Sequence, residues 1–504
     1  MNTLSMLLKG FALSMTPANL LACIFGVLVG TLTGVLPGIG VTGAMALLLP
    51  LSFGMDATSA LIMFSGIYYG AMYGGSTTSI LVNLPGEAAS VVTALDGYEM
   101  AKKGRAGAAL TVSAIGSFIA GTFGLIALTV AAPWIAEAAL KFGPPEYFAI
   151  AFLGLVLLTN LTGGNPLKSI LMVMIGIMLS TVGMDAVTGS TRFTFKIPEL
   201  MRGFEFGVVA MAVFGVREVF STLTEPQEEN ITVKNVKLRD MYPTKEEWKR
   251  SAAPIARGTL LGFLIGLMPG PAGTLSSFTS YSLEKGISKH PEEFGHGAIE
   301  GVAGPESANN AASSAAMIPL LSLGLPFAPP AALLLTGFIT HGITPGPTLI
   351  TQHPNVFWGL VASMYIGNVI LVVLNLPFVG VFASLLKTPV RILMPIVLLI
   401  TFTGAFATNN SIFDIGLLLV LGVFGYFISK YGYSMAPLAV GLVLGGTIET
   451  GLTQGMIICN GSLIELIKRP LAGSIIVAAL ILLAVTLIRP LIKGSRKPEI
   501  EIES

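Results

Sequence analysis

Long uncharged runs dominate the pattern of hydrophobic and polar positions along the chain. No Asp, Glu, Lys or Arg occurs between Lys9 and Asp56, and the longest such run, of 80 residues, separates Glu306 from Lys387. Because a helix needs about 20 apolar residues to cross the hydrocarbon core of a bilayer, the pattern predicts an all-α polytopic membrane protein with roughly twelve transmembrane segments. The predicted segments are 18–36, 40–54, 57–75, 107–133, 147–183 (two short spans), 204–222, 254–283 (broken), 309–338, 355–380, 390–408, 411–429, 433–453 and 470–490.

The composition agrees with this pattern. Charged residues make up 11% of the chain and hydrophobic residues 53%, whereas about 25% of the residues of an average soluble domain are charged. So little charge cannot cover the surface of a water-soluble fold, which excludes an ordinary soluble enzyme, a disordered chain and a collagen-like rod. The net charge of +1 offers no counterion-release driving force for binding nucleic acid.

One polar stretch predicts how the chain is divided. Residues 225–250 contain six basic and six acidic residues, and basic clusters favour the cytoplasmic side of a membrane. Basic residues also gather near the end of the chain, from Arg489 to Lys497. The predicted organisation is a first transmembrane repeat over 1–224, a polar cytoplasmic linker over 225–253, a second transmembrane repeat over 254–492 and a cytoplasmic tail over 493–504.

The two halves share a glycine pattern that ends in Pro-Gly. The pattern comprises Gly26, Gly30, Gly34, Pro37 and Gly38 in the first half, and Gly258, Gly262, Gly266, Pro269 and Gly270 in the second. The five matched positions keep a constant offset of 232 residues, which indicates an internal duplication. We expect the two repeats to be inverted with respect to each other, as in many secondary transporters.

Each glycine pattern predicts a helix that stops inside the membrane. Gly at four-residue spacing lets another helix approach closely, Pro removes a backbone donor, and the following Gly adopts conformations that other residues avoid. Irregular backbone at membrane depth is tolerated where it is buried in protein or lines a cavity. Paired breaks in two repeats therefore point to a transporter's binding site. The alternative is a pair of tightly packed, Pro-kinked helices with no site between them.

Small hydroxyl and amide residues follow each break, over 73–87 and over 305–326, and precede short apolar runs that close with Leu-Pro. A run of about ten residues is too short to cross a bilayer, so each predicts one arm of a re-entrant hairpin. Hydroxyls and the N–H groups of a helix start can hold a carboxylate, and Asn or backbone oxygens can hold a small cation. The alternative for each hydroxyl is a bond back to its own helix.

Neither polar stretch contains Arg or Lys. We therefore predict that neutral donors and helix dipoles hold a substrate carboxylate, while a co-bound cation balances its charge. The candidate substrate-binding residues are Gly38, Gly40, Gly75, Ser76, Thr77, Thr78, Asn83, Pro85, Gly270, Gly273, Thr274, Asn309, Asn310, Ser313 and Pro326. The candidate sodium-binding residues are Gly38, Asn83, Gly270, Asn310 and Gly324. Four carboxylates near predicted segment ends would be functional if buried in the membrane, and the alternative is that they lie at its surface: Glu87, Asp96, Glu306 and Glu449.

Several of these segments resemble the large membrane subunit of the tripartite tricarboxylate transporter family of bacteria. The matching segments are 34–40, 69–87, 94–98 and 301–311, and the resemblance covers nearly the whole chain. It implies a multi-pass protein of the bacterial inner membrane that takes up citrate or related carboxylates together with sodium or protons. It also implies two partners, which are a small membrane subunit and a periplasmic solute-binding protein that delivers the substrate.

Ion-coupled transport competes with two other functions. A channel fits the apolar composition, but paired breaks favour a closed site that faces each side in turn, as in an elevator-type transporter. A membrane-embedded enzyme would need a nucleophile with a base or a metal cluster, and the four His show no H-E-x-x-H spacing. We predict a transporter that is not an enzyme, has no cofactor or metal besides its coupling ion, and binds no nucleic acid. Its fixed scaffold would also offer an interface for a homo-oligomer.

Overall fold

Helices make up almost all of the described chain. The structure is a computed structural model, which describes residues 3–35, 40–161, 165–185, 188–224, 242–385 and 390–492. The helices of the first half are α1 (Thr3–Ser14), α2 (Pro17–Val35), α3 (Gly40–Leu48), α4 (Ala57–Val82), α5 (Val91–Lys102), α6 (Ala106–Ala139), α7 (Pro144–Leu161), α8 (Pro166–Ser180), α9 (Phe206–Ala210) and α10 (Arg217–Thr224). A π-helical segment, Met211–Val216, joins α9 to α10. A short antiparallel ribbon pairs β1 (Gly183–Met184) with β2 (Thr191–Arg192), and Gly183 lies opposite Arg192.

The second half is built in the same manner. Its helices are α11 (Lys245–Gly266), α12 (Ala272–Ile287), α13 (Glu300–Ala315), α14 (Met317–Leu323), α15 (Pro329–Thr340), α16 (Leu349–Gln352), α17 (Pro354–Leu385), α18 (Val390–Asn409), α19 (Ile412–Lys430), α20 (Met435–Ile458), α21 (Leu463–Lys468) and α22 (Pro470–Ile492). Short 3-10 turns occur at Leu49–Ser52, Ala88–Ser90, Pro198–Arg202 and Pro291–Glu293.

Seven helical stretches of the described chain are long and apolar enough to cross a membrane. They are Pro17–Val35, Ala106–Ala139, Phe206–Thr224, Pro354–Leu374, Ile412–Lys430, Met435–Ile458 and Pro470–Ile488. Shorter apolar helices accompany them, for example Gly40–Ser52 and Pro144–Thr159. The chain is therefore an all-α polytopic protein, and the number of twelve segments stays a prediction.

Local sequence explains where α4 begins and ends. Oδ1 of Asp56 accepts the backbone N–H groups of Thr58 and Ser59 at 3.0 and 3.1 Å, which satisfies two donors of the first turn. The helix ends at Asn83, which adopts the left-handed conformation with φ of 57°. Asn tolerates this conformation better than most residues do.

Two helix pairs pack along glycine stripes in the same way. We call the glycines at four-residue spacing in one helix a glycine stripe. The stripe of α2 (Gly26, Gly30 and Gly34) faces α4, and the stripe of α11 (Gly258, Gly262 and Gly266) faces α13. A Cβ atom at Gly34 would lie 2.0 Å from the carbonyl oxygen of Ala71, and one at Gly262 would lie 2.0 Å from the carbonyl oxygen of Ala308. Only glycine fits where two helix backbones touch in this way.

The residues opposite the stripes reveal a second constant offset. The nearest carbonyl oxygens belong to Met63, Ile67 and Ala71 in α4, and to Gly304, Ala308 and Ala312 in α13. Each residue in α13 follows its counterpart in α4 by 241 positions, as Gly304 follows Met63. An internal duplication produces this kind of matched geometry, and the inverted orientation of the repeats stays a prediction.

The two halves interlock and share one core. α4 packs against α17, and α13 packs against α6, so a central helix of each half contacts a long helix of the other. One hydrophobic cluster contains Phe64 of α4, Phe338 of α15 and Phe357 of α17, all fully buried. The described halves are therefore not separate domains with their own cores.

The structure differs from the sequence prediction in the first polar stretch. This stretch continues the preceding helix, so α4 is one helix of 26 residues and not a segment over 57–75 followed by a separate short arm. Thr77, Thr78 and Ser79 donate their hydroxyls to carbonyls three or four residues earlier in α4. Because the polar side chains are satisfied within the helix, nothing interrupts its backbone.

The segment predicted over 309–338 is also different, because it is divided among α13, α14 and α15. Gly324 ends α14 in the left-handed conformation, with φ of 73°. Some predicted features cannot be compared with the structure. Pro37, Gly38, residues 225–241 of the linker and the tail over 493–504 lie outside the described residues.

Candidate functional site

The helices that follow the two predicted breaks begin at one cavity of about 450 Å³. Gly40, at the start of α3, lines it from the first half, and Gly270 and Gly273, at the break between α11 and α12, line it from the second. A cavity of this size is typical of small-molecule sites. The polar and charged residues in its lining are Thr42, Tyr68, Glu87, Arg217, Glu218, Thr274, Asn309 and Ser313, and Pro85 and Gly86 line it from the segment after α4.

Two helices begin at the cavity wall. The first residues of α3 and of α12 line the cavity, and first-turn N–H groups have no partner within their own helix. Gly270 adopts φ of 141°, and its N–H donates to the carbonyl oxygen of Phe327 at 2.9 Å, which fixes the backbone just before α12. Because the start of a helix also carries the positive end of its dipole, this wall offers neutral donors to an anion.

A carboxyl group and an amide from different halves meet at the cavity. Nδ2 of Asn309 donates to Oε1 of Glu87 at 2.9 Å. Oδ1 of Asn309 is buried and has no hydrogen-bond partner among the described residues. Gly273 leaves space for this amide, because a Cβ atom there would lie 2.4 Å from Oδ1. Glu87, whose position the sequence left open, is therefore a cavity residue.

The wall formed by α4 and α13 carries residues from matched positions of the two halves. The offset of 241 residues relates Tyr68 to Asn309 and Met72 to Ser313, and all four line the cavity. The hydroxyl of Ser313 donates to Sδ of Met72 at 2.8 Å. A residue thus touches its own counterpart in the other half.

Arg217 and Glu218 bring charge to the cavity from a distant part of the sequence. They begin α10, directly after the π-helical segment, and both line the cavity. The Arg217 guanidinium contacts the Glu218 carboxylate and donates from Nη1 to Oγ of Ser429 at 3.2 Å. We expected only neutral donors, because neither polar stretch contains Arg or Lys, and the structure adds a guanidinium. The signal that could have found it is a charged pair within the predicted segment 204–222.

The cavity gathers part of the predicted substrate-binding set. The members that line it are Gly40, Pro85, Gly270, Gly273, Thr274, Asn309 and Ser313. Seven other members do not line the cavity. Gly75, Ser76, Thr77 and Thr78 are buried along α4, and Asn83 is exposed at the end of that helix. Asn310 is buried in α13, and Pro326 follows α14. Of the predicted sodium-binding residues Gly270 lines the cavity, whereas Asn83, Asn310 and Gly324 do not, and Gly38 lies outside the described residues. Binding by any of these residues stays a prediction.

A second polar network surrounds Glu306, which is only 2% exposed. Its carboxyl group accepts hydroxyl hydrogen bonds from Ser76 of α4 at 2.7 Å, from Ser113 of α6 at 3.1 Å and from Thr93 of α5. In the next turn of α13, Asn310 donates to Oγ of Ser117 at 2.7 Å. The network joins four helices and does not reach the cavity lining.

The remaining two carboxylates also have partners. Asp96 is fully buried, and its Oδ1 accepts three backbone N–H groups from the loop before α13, at 2.7 to 2.9 Å. Glu449 pairs with Arg192 of β2. Within the described part of the chain, no group of three or more His, Cys, Asp or Glu side chains could hold a metal ion.

Comparison with known proteins identifies the family. Residues 20–440 match the model of the tripartite tricarboxylate transporter TctA family. The chain is 48% identical over 496 residues, or 98% of each chain, to the "Uncharacterized 52.8 kDa protein in TAR-I ttuC' 3'region" of Agrobacterium vitis. It is 46% identical over 235 residues to the "Uncharacterized protein in TAR-II ttuC' 3'region" of the same organism, a match that covers 47% of this chain and 97% of that protein. No solved structure matches the chain. The chain is therefore a multi-pass membrane protein and belongs to the TctA family of tripartite tricarboxylate transporters.

Proposed function

We propose that this chain is the large membrane subunit of a secondary active transporter for tricarboxylates such as citrate, or for related carboxylates. Its family makes it a component of a tripartite transporter, which implies a small membrane subunit and a periplasmic binding protein as partners. In this proposal the binding protein delivers the substrate, the chain lies in the bacterial inner membrane, and sodium ions or protons drive uptake.

The observation that carries the proposal is the cavity shared by the two helix breaks. The first turns of α3 and α12 line this cavity. They include Thr42 and Thr274, which the offset of 232 residues relates to each other. Backbone N–H groups and hydroxyls at two helix starts are donors that suit carboxylate oxygens. Broken helices that meet at a common site are typical of secondary transporters.

The charges at the cavity favour coupling to a cation. Glu87 and Glu218 are acidic, and Arg217 is the one basic residue among the described lining residues. Two like charges 4 Å apart repel by about 4 kcal/mol at the effective dielectric constant of a protein surface. A substrate with several carboxylates would meet this repulsion unless a sodium ion enters with it or a proton neutralises Glu87. We infer that coupling-ion binding and substrate binding are linked through Glu87.

The matched helix pairs support alternating access. α2 with α4 and α11 with α13 are held by direct backbone contact, so each pair can move as a rigid unit. The contact between Ser313 and Met72 lies where an axis relating the two pairs would pass. In the proposed mechanism these pairs carry the cavity from one side of the membrane to the other, together with α3, α12 and the helices α5 and α6 that Glu306 holds to them. The remaining helices form a fixed scaffold, which could also join copies of the chain.

Uptake of radiolabelled citrate into proteoliposomes that contain the complete transporter tests the proposal. We expect accumulation above the external concentration only when an inward sodium or proton gradient is imposed. A sodium ionophore or a protonophore should abolish it, depending on which ion is coupled, and a metal chelator should not. Uptake that only equilibrates citrate, with or without an ion gradient, would indicate a channel and contradict the proposal.

A further inference from the structure

Arg217 lies in a setting that calls for an explanation. It belongs to the apolar helical stretch Phe206–Thr224, where a charged side chain is costly unless it is paired or functional. Its side chain keeps 27% of its surface exposed, and it lines the cavity beside Glu218. The charge is therefore presented to the cavity rather than enclosed in the core.

The guanidinium of Arg217 is only partly satisfied. Nη2 contacts the Glu218 carboxylate, and Nη1 donates to Ser429. The buried Nε–H has no hydrogen-bond partner in the described part of the chain, although buried donors are nearly always paired. A guanidinium characteristically binds a carboxylate through two parallel N–H groups. The unpaired Nε–H can therefore donate to an oxygen of a substrate carboxylate that takes the place of Glu218.

The backbone on both sides of Arg217 places this side chain. The π-helical segment Met211–Val216 immediately precedes it, and single π-helical turns inside helices occur frequently at functional sites. Gly425 of α19 faces its stem, since a Cβ atom there would lie 3.6 Å from Cβ and Cγ of Arg217. This distance is an ordinary van der Waals contact, so α19 packs against the stem of Arg217 at this position without crowding it.

We propose that Arg217 binds one carboxylate group of the transported substrate, and that Glu218 occupies the guanidinium when no substrate is present. This inference rests on the proposed function. The helix starts and Asn309 form a second, separate group of donors on the same cavity. The substrate class that fits both groups is an acid with at least two carboxylates.

Citrate uptake kinetics of the complete transporter in proteoliposomes test this inference. Arg217→Gln should raise KM roughly 10- to 100-fold, because one charged hydrogen-bonded contact is lost, and should change kcat less. Arg217→Lys keeps the charge without the two parallel donors, so its KM should fall between. Glu218→Gln removes the competing internal carboxylate and should lower KM. The control is Arg105→Gln, which removes a guanidinium paired with Glu247 away from the cavity and should leave KM unchanged.

Competition by succinate and by its monomethyl ester tests the class of substrate. In the wild type, succinate should inhibit citrate uptake much better than the ester, and in Arg217→Gln the two should inhibit about equally. A retained preference for succinate in Arg217→Gln would overturn the inference, as would equal increases of KM in Arg217→Gln and Glu218→Gln. If Arg217→Gln does not fold, the same comparison is made with Arg217→Lys. A wild type that shows no ion-driven uptake of any carboxylate would overturn the proposed function as well, so the two failures are distinguishable.

Discussion

The turns that end α4 and α14 have the same backbone and different chemistry. Asn83 and Gly324, related by the 241-residue offset, both adopt the left-handed conformation, and the N–H of Asn83 bonds to the carbonyl five residues earlier, while that of Gly324 is shared between the carbonyls four and five residues earlier. Four residues further on, the first turn carries Glu87 and the second carries Ala328, and both line the cavity. The repeat supplies the scaffold of both turns, whereas one half alone supplies the carboxyl group.

The residues matched to this hydrogen-bonded pair are also different. Glu87 accepts a hydrogen bond from Asn309, and the offset of 241 residues relates these two residues to Ala328 and Tyr68. All four residues line the cavity. The two halves thus share the backbone of these turns, whereas their side chains place a hydrogen-bonded carboxyl group at one turn and an alanine at the other.

The largest expected effect comes from the stripe glycines, and it should be equal in both halves. In Gly34→Ala and Gly262→Ala the new Cβ atom would lie 2.0 Å from a backbone oxygen, so the paired helices must separate. We expect a loss of at least the roughly 1–3 kcal/mol that is typical of overpacking, seen as less monodisperse protein in detergent and a lower Tm. Gly416→Ala in α19, where nothing lies within 4 Å of the new atom, is the control. If only one of the two variants loses stability, the two helix pairs are not equivalent in packing.

Removal of the polar pair should abolish most transport without unfolding the protein. Asn309→Ala removes the donor to Glu87, and Glu87→Gln removes the carboxylate that we place in coupling. Each is expected to lower kcat/KM for citrate roughly 30- to 100-fold, the value of a hydrogen bond to a charged group. Glu87→Gln should in addition weaken the dependence on the ion gradient. Unchanged uptake with an unchanged ion requirement in both variants would remove this pair from the site.

The two turn residues should differ in how much a substitution changes stability. Gly324→Ala places a side chain at φ of 73° and sets its Cβ atom 2.6 Å from the carbonyl oxygen of Pro345, so it should lower stability by about 1–3 kcal/mol. Asn83→Gly relieves the left-handed strain and should be nearly neutral. Thermal unfolding of the purified variants measures both. The reverse order of Tm values would mean that the two turns do not share a backbone.

The smallest effect is expected at Tyr68, the counterpart of Asn309 in α4. Tyr68→Phe keeps the aromatic ring and removes only the hydroxyl, so KM for citrate should change less than roughly threefold, which is under 1 kcal/mol. The same uptake assay measures it beside Glu87→Gln. A loss as large as that of Glu87→Gln would show that the hydroxyl of Tyr68 matters as much as the Glu87 carboxyl group, and that the two counterparts Tyr68 and Asn309 both contribute polar contacts.

The sequence predicted well those features that depend on residues close together along the chain. The spacing of Gly258, Gly262 and Gly266 before Pro269 marks a helix that packs by its backbone and then breaks, and α11 ends at Gly266 with α12 starting at Ala272. These signals are local, because backbone approach and chain reversal depend on neighbouring residues. The matched spacing of the two halves was visible for the same reason.

The features that the sequence could not resolve depend on helix rotation and on distant contacts. Asn309 and Asn310 look alike in the sequence, yet one turns to the cavity and the other to Ser117 of α6, because successive residues of a helix point in different directions. Arg217 reaches the cavity from a helix of its own, outside both polar stretches. No spacing within those stretches could reveal a side chain that tertiary packing brings to them.

Glu306 has a consequence for how the transporter can move. The carboxyl group of this residue, on α13, accepts hydrogen bonds from hydroxyls of α4, α5 and α6. If any of these helices moved away, a buried polar group would lose its partner. In the proposed mechanism these four helices must then travel as a single block. The sliding boundary between the moving and stationary parts of the transporter would run on the far side of α6.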